Sequence, residues 1–141
     1  MRYRLILLLL LMPGLVAPMQ AGIFGRKKEK IDPKARVPEL LMILKSDGDA
    51  DKRARAAEEL RNYDASANPE IVIALIDAML NDKKPNVRAE AASSLGKIRP
   101  VTQQAGEALE QAHSNDSSMR VRLQARSSLL SYHWAGYRSN K

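Results

Sequence analysis

The sequence has no cysteine, which excludes a disulfide framework, a thiolate zinc site, an iron–sulfur cluster and a cysteine nucleophile. Its two histidines, His113 and His133, lie in different predicted helices with no second histidine at metal-ligand spacing, so a two-histidine zinc or iron site is not expected. It also lacks a glycine-rich phosphate loop, a Ser–His–Asp order and a paired general acid and base. No catalytic residue, metal or cofactor is therefore expected, and the chain reads as a non-enzyme. Aromatics are few: four Tyr, one Trp and one Phe among 141 residues, a length that suits one ordinary domain and excludes a large multidomain enzyme.

Positive charge is abundant. There are 23 Lys+Arg against 16 Asp+Glu, a net charge of +7 and a pI near 9.9, and such a balance raises nucleic acid or an anionic surface as partner. Its distribution argues otherwise. Residues 22–37 hold six basic and two acidic residues, 38–141 hold 15 and 14, and 117–141 hold five and none. The excess lies in the first 21 residues, the short segment 22–37 and one basic end, so nucleic acid is not the expected partner.

Met1–Arg4 carries two arginines, Leu5–Met12 is an unbroken apolar run, and Pro13-Gly14 precedes small residues up to Ala21-Gly22. That order predicts a cleaved signal peptide over 1–21, cut after Ala21, and hence a secreted or periplasmic protein. The alternative is a retained anchor, the one route to a membrane; the run is shorter than the ~20 apolar residues a span requires. Residues 22–37 (Arg26, Lys27, Lys28, Lys30, Lys34, Arg36) have no helical or strand period and read as a basic linker.

Beyond it the chain repeats. Asp47 to Arg53, Asp82 to Arg88 and Asp116 to Arg122 each place an arginine six residues after an aspartate, at offsets of 35 and then 34. Ala56, Ala91 and Ala125 fall in register, as do Leu60, Leu95 and Leu129, and upstream Leu40, Leu75 and Leu109. In the middle unit Ile71, Leu75, Ile76, Met79 and Leu80 predict one helix after an Asn68 cap and Pro69, and Val87, Ala91, Leu95 and Ile98 predict a second. Such helices are too short to persist alone and must stack. The expected fold is all-α, a short solenoid of about three antiparallel helix pairs over 38–135 (units near 38–63, 69–99 and 102–135), with 136–141 as a basic tail.

Pro69–Arg99, with Asp82, Pro85, Val87, Arg88, Ala91, Ala92, Leu95 and Gly96, resembles a HEAT repeat, particularly the short kind also found in phycobilisome lyase proteins. In the third unit Gly106, Glu110 and His113 stand where the middle unit has Val72, Ile76 and Met79. The resemblance implies that Asp47, Arg53, Asp82, Arg88, Asp116 and Arg122 form a structural ladder between repeats. With only two histidines, in different predicted helices, the chain is also a poor match to HEAT-like hydroxylases, which the resemblance implies would need His–Glu pairs on their helices. Asp47, Asp49, Asp51 and Glu58 imitate a calcium loop, but Lys52 replaces its glycine and Arg53 and Arg55 oppose the charge.

The expected function is that of a small exported protein-interaction or scaffold module whose second helices line the binding surface, with Arg55, Glu59, Glu90, Ser94, Lys97, Gln124 and Ser128 as candidate partner-binding residues. Trp134 and Tyr137 are added as a cap or docking patch. The partner is an unidentified protein, and a homo-oligomer is left open because three repeats are a minimal stack. The alternatives are an electrostatic binder of nucleic acid or anionic envelope polymer, through the basic run Arg26–Arg36 and Arg120, Arg122, Arg126, Arg138 and Lys141, and a lyase-like enzyme or its accessory subunit.

Overall fold

The structure, a computed structural model, describes residues 32–140. The expected signal peptide, and the linker up to residue 31, lie outside them. Among the described residues there are six helices, α1 (Pro33–Ser46), α2 (Ala50–Leu60), α3 (Glu70–Asn81), α4 (Pro85–Lys97), α5 (Gln103–Asn115) and α6 (Met119–Trp134). They form three antiparallel pairs, the all-α solenoid that the repeat predicts. The second helices α2, α4 and α6 pack closely on one another, whereas the first helices α1, α3 and α5 meet more sparsely. The stack therefore has a tight side and a splayed side.

Two boundaries move. The segment read as linker up to residue 37 enters α1 at Pro33, because Asp32 caps it, its carboxylate accepting from the Lys34 N–H at 3.0 Å. Val37 is then core, and Arg36 forms a two-pronged pair with Glu59 of α2 at 2.8 Å on each prong. At α3 the Asn68 side chain does not cap the helix; it donates to the Asp64 carbonyl, and the helix starts after Pro69 without a side-chain cap.

The core repeats with the sequence. Leu40, Leu75 and Leu109 are buried in the first helices, as are Ala56, Ala91 and Ala125 with Leu60, Leu95 and Leu129 in the second. Small residues set the spacing on the tight side. A Cβ on Gly96 of α4 would lie 2.4 Å from Oγ and 2.7 Å from Cβ of Ser128 in α6, so the backbones approach more closely than any side chain there allows.

The third unit departs from the pattern, and the C-terminus explains why. Gly106 occupies the register of Val37 and Val72, which are core. A Cβ there would lie 2.1–2.6 Å from the Tyr137 ring, which fills the space that Val fills in the other units. The chain gets there by reversing after α6: Gly136 has φ +93°, and Gly136 N–H and Tyr137 N–H donate to the His133 and Tyr132 carbonyls, both at 3.0 Å. This is the Schellman arrangement, with the Tyr132–Tyr137 edge contact (centroids 5.9 Å apart) as its apolar component. Glu110, the second departure, accepts from the Tyr137 hydroxyl at 3.0 Å. The domain thus runs to Tyr137, and 136–141 is not simply a tail.

Burial, and then the Glu110 hydrogen bond, push the Tyr137 hydroxyl up to about 12; burial does the same to Tyr132. Gly106→Ala is expected to eject the Tyr137 ring and let that phenol titrate near the ordinary ~10. Ultraviolet titration of the variant should show one more tyrosine ionising below pH 11 than in the wild type. An unchanged titration curve would remove this socket.

Candidate functional site

Each second helix starts after an aspartate that ends the first helix of its pair. Asp47, Asp82 and Asp116 are the C-terminal caps of α1, α3 and α5, all with near-identical extended backbone (φ −63 to −65°, ψ 135 to 137°). Each side chain accepts from the N–H two residues on, Asp49, Lys84 and Ser118 respectively, at 2.8 Å. Asp49 repeats the device toward Asp51 at 2.8 Å and caps α2. These aspartates turn the chain rather than surround an ion. Among the described residues no group of three His, Asp or Glu could hold a metal.

The arginines join one turn to the next. Arg53 Nε and Nη2 donate to the two Asp82 oxygens at 2.8 and 2.9 Å while Nη1 donates to its own Asp47 carbonyl at 2.8 Å. Arg88 does the same with Asp116 (2.8 and 3.0 Å) and the Asp82 carbonyl (2.9 Å). Arg122 keeps the backward bond, to the Asp116 carbonyl at 2.8 Å, but has no following aspartate. Of the six expected residues, Arg53–Asp82 and Arg88–Asp116 form rungs between repeats, while Asp47 and Arg122 sit at the two ends without a partner side chain across a repeat. It is a planar guanidinium clamped between two turns, the geometry that arginine supplies and lysine does not.

Burial raises the Asp82 and Asp116 carboxyls, but the arginine hydrogen bonds, the turn N–H groups and the nearby positive charges outweigh it and hold both below the ordinary carboxylate range. In the unfolded chain they return to about 4. Because the folded values are the lower ones, the stabilisation is complete above pH ~4 to 5 and is lost as the pH falls through the folded values. Thermal melts should hold steady from pH 7 to 5 and drop below pH 4. A melting temperature that stays level down to pH 2 would show that these rungs carry no stability.

The expected partner surface is brought together only in part. Arg55 and Lys97 are exposed and Gln124 is half-exposed. Glu90 is half-buried and accepts from Arg61 of α2 at 3.2 Å, and Glu59 is tied to Arg36. Ser94 and Ser128, expected on this surface, are instead buried, Ser128 donating to the Ala92 carbonyl of α4 at 2.7 Å. One residue is about 100° of helix, and the solvent-facing row runs one position earlier, through Glu58, Ser93 and Ser127. The row above it is Arg55, Glu90 and Gln124. Of the two roles open to the pair, Tyr137 is buried and takes that of the cap, so it is not available as a partner-binding residue, while Trp134 is 91% exposed.

Two features escaped the sequence reading. An open groove of about 760 Å³ lies between the splayed α1 and α3, with Leu41, Leu44, Ala74 and Ala78 among its lining residues and Lys45, Glu70, Asp77 and Lys83 adding charge. Its apolar lining suits a side chain or peptide more than a reaction, since Arg53 at its edge is committed to Asp82 and Asp47. The second is an exposed apolar row on α6, formed by Met119, Leu123, Leu130 and Trp134. Its signal was in the register: these positions correspond to Pro85, Ala89, Gly96 and Pro100 in the preceding unit.

A model of HEAT repeats matches residues 37–130. The chain belongs to the HEAT-repeat family. The matched span of this HEAT-repeat chain runs from Val37 in α1 to Leu130 in α6, and so includes the whole Asp–Arg ladder. No curated protein and no solved structure matches the chain.

Proposed function

We propose that this HEAT-repeat chain is a small, exported, non-catalytic module that holds a protein partner on the surface formed by α2, α4 and α6. HEAT repeats commonly serve as protein-interaction modules, and one observation carries the reading to this chain. The ladder fixes three helices in register, and their outward rows, Arg55–Glu90–Gln124 and Glu58–Ser93–Ser127, exposed at Arg55, Glu58 and Ser127 and half-buried elsewhere, present mixed charge and small polar groups. Rigid presentation lowers the ordering cost of association, and mixed charge selects partners more than it attracts polyanions. Export rests on the leader pattern of 1–21, which the described residues do not include.

Crosslinking and pull-down of the protein from the non-cytoplasmic fraction should recover a reproducible partner, with recovery sharply reduced by the exposed substitutions Arg55→Glu and Lys97→Glu. Retention on heparin that persists at 0.15 M salt, with no protein recovered, would overturn the reading in favour of a polyanion binder.

A further inference from the structure

Among the described residues α6 is the last helix of the stack, and its outer face differs in composition from the face of α4 that α6 covers. In α4 the positions that meet α6 are small: Ala92 offers its carbonyl to Ser128, and Gly96 has no room for a Cβ. The same register in α6 carries Leu123, Arg126 and Leu130, so a helix packed on this face could not approach α6 as closely as α6 approaches α4. What α6 presents instead is Met119, Leu123, Leu130 and Trp134, each at least 56% exposed, along one line about 22 Å long.

Arg126 lies in that line, between Leu123 and Leu130, and Arg120 flanks it. Both are exposed and neither is paired with a carboxylate among the described residues. Residues 117–141 contain no acidic side chain at all. A guanidinium in the middle of an apolar row is ill placed for insertion between lipid chains but well placed to meet a carboxylate on a facing helix. A second copy is a poor occupant. Where Ser128 of α6 meets α4, the register position of α2 is Glu59, already engaged by Arg36, beside exposed Asp51, Lys52 and Arg55.

We propose that this end face docks an acidic amphipathic helix of a partner protein, its apolar side on Leu123, Leu130 and Trp134 and its carboxylates on Arg126 and Arg120. The proposal rests on the interaction-module reading and gives it a second surface, distinct from the rows on α2 and α4. Trp134 is the sole tryptophan of the chain, so its emission reports on this face alone.

The test titrates the full chain with a tryptophan-free, helix-forming peptide of about 18 residues bearing a leucine stripe flanked by glutamates. A saturable blue shift of Trp134 emission is expected. Binding should weaken at least about tenfold in Arg126→Glu and in Leu123→Ala/Leu130→Ala, and also when lysines replace the peptide glutamates. These positions are exposed, and unchanged far-ultraviolet circular dichroism checks that the variants remain folded. The proposal fails if the acidic peptide leaves the emission unchanged. It fails equally if vesicles containing phosphatidylglycerol shift the emission where the peptide does not, or if the shift grows with protein concentration alone, which would mean self-association. Should the peptide fail while the pull-down partner is still lost in Arg55→Glu, the module reading stands and this end face alone is withdrawn.

Discussion

Arg88→Ala is expected to destabilise the protein by about 3–5 kcal/mol, while the same change at Arg122 costs less than about 1 kcal/mol. The two arginines occupy one register in successive repeats, so sequence alone treats them as equals. Their surroundings differ. The Arg88 and Asp116 side chains are only 11% and 8% exposed, and removing the guanidinium leaves a buried carboxylate with the Ser118 N–H but no counter-charge, and the Asp82 carbonyl without its side-chain donor. Arg122 contacts the Asp116 and Ser117 carbonyls and the Met119 sulfur, with no carboxylate behind it. Urea unfolding followed by circular dichroism measures both. Should Arg88→Ala fold too poorly to titrate, Arg88→Lys, which keeps the charge and loses the two-pronged bond, should fall between the wild type and alanine. Removing both charges in Arg88→Met/Asp116→Asn should recover part of the loss, since the largest cost of the single variant is a stranded charge. Equal losses at Arg88 and Arg122 would show that the forward rungs contribute nothing.

Gly96→Leu, which installs in α4 the residue that α6 carries at the same register, is expected to cost at least the upper end of the ~1–3 kcal/mol typical of overpacking. A single added Cβ already falls 2.7 Å from the Ser128 Cβ and 3.0 Å from its Cα, atoms that no rotamer change can move away. Helices α4 and α6 would have to separate, breaking the Ser128 bond to Ala92 and the Ser131 bond to Gly96. The reciprocal change, Leu130→Ala, removes a side chain that is 56% exposed and should leave the melting temperature within a few degrees of wild type. Thermal melts of the two variants decide it: a Gly96→Leu protein as stable as wild type would mean that the close approach of α4 and α6 is not required.

Much of the fold was legible because it is written three times. Alanines and leucines at offsets of 35 and 34 residues mark the core faces, and an aspartate six residues before an arginine marks each inter-helix turn. The partner surface was less legible. Helix phase inferred from alanine and leucine spacing is uncertain by about one residue, and that shift turns Ser94 and Ser128 from solvent into the α2–α4–α6 packing. Composition alone does not separate Tyr137 from Trp134, since both are aromatic and near the C-terminus. The Ala135-Gly136-Tyr137 sequence nevertheless contained the signature of a helix stop followed by an apolar contact.

What the sequence by itself determined is what depends on local pattern and repetition: six helices paired in three units, a core read from 3.6-residue periodicity, and the residues of the ladder. What only the tertiary structure decided is how one unit completes another. Gly106 is a defect in its own helix and becomes a socket once Tyr137 returns to fill it. The rungs at Arg53 and Arg88 are closed and that at Arg122 is open, because a rung needs a following aspartate and none follows Arg122 among the described residues. The leucines of α6 are core by composition and surface by position, since no helix follows α6 among the described residues. A repeat pattern carries no information about where the stack stops, and the end of the stack is where burial, charge and exposure part from the pattern.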